Sequence, residues 1–242
     1  MYSNETLKKL GNRQNEIIDR LKADGVDKLH VKIMPKNVKV PCPNYGTAPV
    51  RNCVNCASCI HECYVIKAAM RFPWAPWDTY TDDDGKTRRK PGAMYGECVN
   101  AAIYEEDRAR FWDEIEAAFH NMHGRYMRGW ESGDTYDVQR QDEMCRRNPG
   151  KVHWSYTKTW DAVNDYISEN GRAENNVIMF SVPFGKTEND IPNPHGLPTF
   201  RVYTTEEELN ASGRFKCPGN CQVCIDAGVG CPAGMNVGCK IH

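Results

Sequence analysis

Thiols are the residues of this chain best suited to chemistry. Cys53, Cys56, Cys59 and Cys63 follow one another as C-x2-C-x2-C-x3-C, and Cys217, Cys221, Cys224, Cys231 and Cys239 form a second group near the C-terminus. Thiolates are soft donors, and several converging on one point hold zinc or an iron–sulfur cluster. The first run has the spacing with which ferredoxin loops wrap a cubane, because each thiolate must reach a different corner. Ferredoxins place Pro after the last cysteine of the run; Tyr64 stands there instead. Within the second group CPGNCQVC gives C-x3-C-x2-C for Cys217, Cys221 and Cys224, the spacing of the radical S-adenosylmethionine motif. Three ligands there would leave one iron open to the amino and carboxylate groups of S-adenosylmethionine. That motif usually follows a first strand and carries an aromatic before its last cysteine, whereas this one is C-terminal and has Val223.

Zinc is the alternative. Cys53/Cys56 and Cys221/Cys224 are both C-x2-C knuckles, and two four-thiolate sites would need eight thiolates, which the two groups and Cys42 supply. His61 and His242 add nitrogen donors that such sites do not need. Cys98 and Cys145 stand alone and read as small buried hydrophobes. Twelve cysteines in 242 residues, behind an N-terminal stretch without the apolar core of a signal peptide, point to metal-bound thiolates in a reducing, cytoplasmic setting rather than to a disulfide framework.

A net charge of -1, a pI near 6.7 and a mean hydropathy of -0.68 give no global field toward nucleic acid or an acidic membrane, and no run is apolar enough to span a bilayer. Lys86, Arg88, Arg89 and Lys90, in the charged stretch 79–91, read as a solvated excursion. Phe72, Trp74, Trp77 and Tyr80 nearby could stack bases, but such aromatics more often pack.

These residues need elements to position them. Leu7, Leu10, Ile17, Ile18 and Leu21 predict a helix over Asn4–Ala23. Residues 29–40 predict one or two short strands, a helix starts near residue 60, and residues 98–122 carry the strongest helical stripe. Then the pattern alternates: strand 125–130, helix 136–147, strand 152–157, helix 160–168, strand 177–182, strand 199–203 and helix 206–211, with Thr205 and Glu208 as a capping box. Such alternation predicts an α/β fold with a parallel sheet, either a partial (β/α) barrel or an open sheet. Residues 1–40 would form the N-terminal helix and short strands, 41–216 the α/β core with a cysteine-rich loop at 42–63, and 217–242 a C-terminal cysteine-rich segment.

Parallel α/β proteins place functional residues where strands end. That filter selects Glu131, Asp134 and Lys158 as candidate catalytic groups and Ser132, Gly133 and Thr157 as candidate cofactor-binding positions. The competing reading for Ser132 and Asp134 is a cap on the next helix, and for Lys158 an ion pair with Glu131.

Taken in order, Cys63-Tyr64, RGWESGDTYD, WSYTKTW, VIMFSVP and the closing cysteines resemble the phage "gene product eighty-eight" domain family over residues 40 to 239. The matching positions are Cys59, Cys63, Tyr64, Ser132, Gly133, Asp134, Tyr156, Thr157, Lys158, Cys217, Cys221 and Cys224. The resemblance implies a phage or mobile-element origin and carries no established activity, and its layout is similar to radical S-adenosylmethionine barrels. The thiol spacings and strand-end groups lead to an iron–sulfur protein with one or two clusters of the 4Fe-4S type, acting as a radical S-adenosylmethionine-like enzyme on an unidentified substrate. The alternative is a zinc-stabilised module that binds nucleic acid or a protein partner.

Overall fold

A computed structural model describes residues 2–34, 40–53, 63–71, 74–89, 92, 94–134, 136–228, 231 and 234–240. Cys56, Cys59, His61, Phe72, Lys90 and His242, with the start of the helix expected near residue 60, lie outside these.

Helix α1 is Asn4–Ala23, as its periodicity predicts. The Ser3 hydroxyl caps it by accepting from the Thr6 amide at 3.2 Å, and Leu7, Leu10, Ile17, Ile18 and Leu21 bury one stripe. After α2 (Tyr64–Arg71), the charged stretch folds as an exposed hairpin, β1 (Thr79–Thr81) against β2 (Thr87–Arg89). The stripe expected over residues 98–122 is two helices, α3 (Tyr95–Glu106) and α4 (Arg108–Asn121). Asp107 divides them: its backbone is non-helical (φ -143°, ψ 74°), and its carboxylate accepts from the Arg110 amide at 3.1 Å. A short polar side chain that bonds its own backbone offers the chain an exit from the helix. Within residues 29–34 the ladder is a single bridge, Met34 to Asn44, in place of the strands expected there.

The alternating part forms a parallel sheet. Its strands are β3 (Tyr126–Gly129), β4 (Val152–Thr157), β5 (Asn176–Ser181), β6 (Thr199–Tyr203), β7 (Phe215–Lys216) and β8 (Val237–Lys240), in the order β3-β4-β5-β6-β8-β7. The connecting helices are α5 (Val138–Arg147), α6 (Trp160–Asn170), α7 (Glu206–Ala211) and α8 (Cys221–Asp226). The α7 capping box is present, with Thr205 and Glu208 each accepting from the other's amide.

Two-residue alternation gives the sheet two unlike faces. On one, Ile178 and Phe180 of β5 pack against Val138 of α5 and Val163 of α6, and Leu209 of α7 lies against Gly238 of β8. On the other, Tyr126, Val152, Trp154, Val177, Met179 and Val237 pack with Val40, Cys42, Cys231, Cys217, Cys221 and Ile225. We call them the helix face and the cysteine face. Right-handed crossovers that advance in one direction leave all their helices on one face. The β7-to-β8 connection runs backward, because β8 inserts between β6 and β7. The same handedness then puts α8, with Cys221 and Cys224, on the opposite face.

Candidate functional site

The carboxyl edge of the sheet is built around the end of β3. The segment 43–47 runs parallel beside it: Arg128 donates to the Pro43 carbonyl (3.0 Å), Tyr45 to Arg128 (3.2 Å), Glu131 to Tyr45 (3.0 Å) and Thr47 to Ser132 (2.8 Å). Two glycines permit this approach. A Cβ on Gly46 would lie 2.4 to 2.7 Å from the hydroxyl, amide and carbonyl of Ser132. Gly133, at φ 74°, would put one 2.1 Å from the Thr47 hydroxyl. Trp130 also adopts a left-handed conformation, φ 54°, which is costly for a bulky residue. Its indole is held among Tyr45, Tyr104, Phe111 and Trp112, and Glu131 follows it directly beyond the end of β3.

Asp134 is the knot of this edge. Its carboxylate accepts from the Thr157 hydroxyl at 2.7 Å and the Lys158 amide at 2.8 Å, and its own amide donates to Asn52 at 3.0 Å. Burial raises its pKa, while the bond from the Lys158 amide, the Lys158 charge and Thr157 work in the other direction. Asp134 therefore ties the ends of β3 and β4 to the chain that carries the first cysteine run. Thr157 shares in the tie, accepting from the Thr159 amide at 2.9 Å. The expected cap of α5 by Ser132 or Asp134 does not form; Asp137 fills that place, three residues ahead of the Arg140 amide it accepts from. Cys53 pairs with Asp134 through a parallel bridge, so the first run starts at this edge. Cys63, at the other end of the run, packs against the core that α1 and α3 share and lies close enough to Tyr2 to oppose its ionisation.

The second thiol group covers the cysteine face. Cys221 and Cys224 stand one turn apart on α8. The β7–β8 register, Phe215 opposite Val237 and Lys216 opposite Gly238, places Cys217 next to Cys239. The Tyr156 hydroxyl and the Cys231 sulfur are 2.7 Å apart. Burial raises the pKa of Cys221 and Cys224, pushes Cys231 up to about 12 and Cys239 up to about 11, and the neighbouring thiols add to each shift. Arg128, on β3 in phase with Tyr126, lies 5.3 Å from the Tyr156 ring centroid and favours ionisation of Cys42 and Cys221. Glu131 acts on the same two thiols with the opposite sign, which connects the strand-end edge to the cysteine face.

Glu97 has no sequence motif to betray it. Glu97 reads in sequence as an acidic residue in the first turn of α3, yet one of its carboxylate oxygens is buried without a hydrogen-bond partner. Burial, then repulsion from Glu131, lifts its pKa from near 4.5 to about 7. The Ser132 hydroxyl, also buried, has no partner either. For Arg128 a signal existed: a lone cation in phase with an apolar strand face. Cys98 and Cys145 lie fully buried in the core, as expected of isolated cysteines. Trp77 packs edge-on against Tyr95 under Arg20, as a structural aromatic does.

The donor chemistry fits a thiophilic group: the described cysteines are free thiols, and one sheet face gathers Cys42, Cys217, Cys221 and Cys231 against apolar walls. Among the described residues no group of three or more His, Cys, Asp or Glu already stands at metal-binding geometry, so closing a site would draw the thiols together. No helix among them is long and apolar enough to cross a membrane. No family model, curated protein or solved structure matches the chain.

Proposed function

We propose that this chain is an iron–sulfur protein whose thiol sites serve the carboxyl edge of its parallel sheet. The observation that carries the reading is the gathering of Cys217, Cys221, Cys224, Cys231 and Cys239 on one face, as free thiols, beside the strand ends that Glu131 occupies. Cys217, Cys221 and Cys224 would hold a cluster there, and Cys53, Cys56, Cys59 and Cys63 a second one. A structural zinc and a 4Fe-4S cluster each take up to four thiolates, so the choice of iron rests on the C-x2-C-x2-C-x3-C and C-x3-C-x2-C spacings. With three thiolates on a 4Fe-4S cluster, the remaining iron would supply reductive chemistry on S-adenosylmethionine. In that enzymatic form we assign Glu131 and Ser132, whose hydroxyl is buried without a hydrogen-bond partner, to contact with a bound ligand, while Asp134, Thr157 and Lys158 hold the edge in shape. The resemblance to the phage "gene product eighty-eight" family belongs to the same proposal.

The test is anaerobic purification with iron, zinc and acid-labile sulfide analysis, followed by equilibrium binding of S-adenosylmethionine to the reduced protein. Iron with matching sulfide supports the reading, and loss of part of that iron in a Cys217→Ala/Cys221→Ala/Cys224→Ala variant locates the site. Stoichiometric zinc without sulfide overturns it. Absence of S-adenosylmethionine binding removes the enzymatic form alone.

A further inference from the structure

Cys42 lies eleven positions before Cys53 and by sequence would join the first run. The fold places it elsewhere. The segment 43–47 climbs along β3, so Cys42 sits at its lower end, beside Arg128, while Cys53 sits at the top beside Asp134. Cys42 is 4% exposed and belongs to the same apolar cluster as Cys231, with Cys217 and Cys221 packed against that cluster. Cys63 packs against a different core, the one to which α1 and α3 both contribute.

We propose that Cys42 is a ligand of the C-terminal thiol site, and that this site is separate from the one built by the first run. The inference rests on the thiolate–metal reading above but not on whether the metal is iron or zinc; with iron, Cys42 as a fourth thiolate takes the corner that the S-adenosylmethionine form leaves open and so replaces that form. A ligand from residue 42 would also clamp the start of the α/β core to its last strands, so that metal loading and closure of the cysteine face become one event.

The test is metal content per chain for the wild type, Cys42→Ala, Cys221→Ala, the double variant and Cys53→Ala, with native-state alkylation of the wild type read by mass spectrometry. Cys42→Ala and Cys221→Ala should each lose the same metal complement, and the double variant no more than either. Cys53→Ala should keep that complement and lose a different one. In the wild type, Cys42 should resist alkylation until the metal is stripped and then react together with Cys221. If Cys42→Ala folds and keeps the full metal complement, the proposal is overturned. If it fails to fold, the wild-type alkylation decides: a Cys42 whose reactivity is unchanged by stripping overturns it equally. A wild type that binds no thiolate metal overturns the functional reading itself, a separate result.

Discussion

Gly46→Ala isolates the contact that holds the first cysteine run to the sheet. The new methyl would lie 2.4 Å from the Ser132 hydroxyl, 2.6 Å from its amide and 2.7 Å from its carbonyl. Two of those three atoms are main chain, so a rotamer change at Ser132 cannot make room. The segment 43–47 must move off β3, which loosens the bonds from Glu131 to Tyr45 and from Thr47 to Ser132. Overpacking at about 1–3 kcal/mol plus two weakened buried hydrogen bonds at about 1 kcal/mol each gives a loss of roughly 3–5 kcal/mol. For a chain of this size each kcal/mol shifts Tm by about 2–4 °C, so a drop on the order of 10 °C is expected. Thermal unfolding followed by circular dichroism, on metal-free protein, measures it. Gly150→Ala is the control: nothing lies within 4 Å of its Cβ position, and its change should stay within about 0.5 kcal/mol. Ser132→Ala should not rescue Gly46→Ala, because the main-chain contacts remain. A Gly46→Ala protein as stable as the control would refute the argument that close approach of these two segments positions the edge.

The remaining predictions concern the polar groups of the edge. Asp134→Ala deprives the Thr157 hydroxyl and the Lys158 amide of their acceptor and should cost about 3 kcal/mol, read as a lower denaturant midpoint at unchanged slope, with Asp134→Asn losing less. An unchanged midpoint for Asp134→Ala would show that the carboxylate ties nothing together. Glu97, with its folded pKa raised from near 4.5 to about 7, holds its proton more tightly in the folded state, so stability falls as pH rises through that window. Glu97→Gln removes the effect, and its advantage over the wild type should grow between those pH values by up to about 2 kcal/mol, allowing for partial exposure of the side chain. Buried His153, lowered from 6.5 to about 3 by burial, acts in the opposite sense, losing stability as pH falls below 6.5. The difference between Glu97→Gln and wild type is therefore the quantity to read, and parallel curves would contradict the assignment.

Much of this architecture is legible in the sequence because its signals are local. The stripe of α1, the capping box of α7 and strands β4 and β6 fall where periodicity and turn chemistry put them. The division of α3 from α4 was hidden because apolar periodicity continues past Asp107, and only its backbone conformation ends the first helix. Strands β7 and β8 span Phe215–Lys216 and Val237–Lys240, too short for alternation to register, so the C-terminal segment read as cysteine-rich chain rather than as sheet. Spacing singles out the thiols, and the strand-end filter singles out Asp134, whose carboxylate ties Thr157 to Lys158. The packing of Cys42 with Cys221 in one apolar cluster, and the burial of a Glu97 carboxylate oxygen, depend on how distant parts of the chain meet, which no local pattern encodes.

The most direct test of the central claim is the visible absorption spectrum of anaerobically purified protein, taken with iron and acid-labile sulfide counts on the same sample. The account predicts a brown protein with a broad sulfur-to-iron charge-transfer band that bleaches on reduction and fades in air. A colourless protein carrying stoichiometric zinc, or no metal at all, would contradict it.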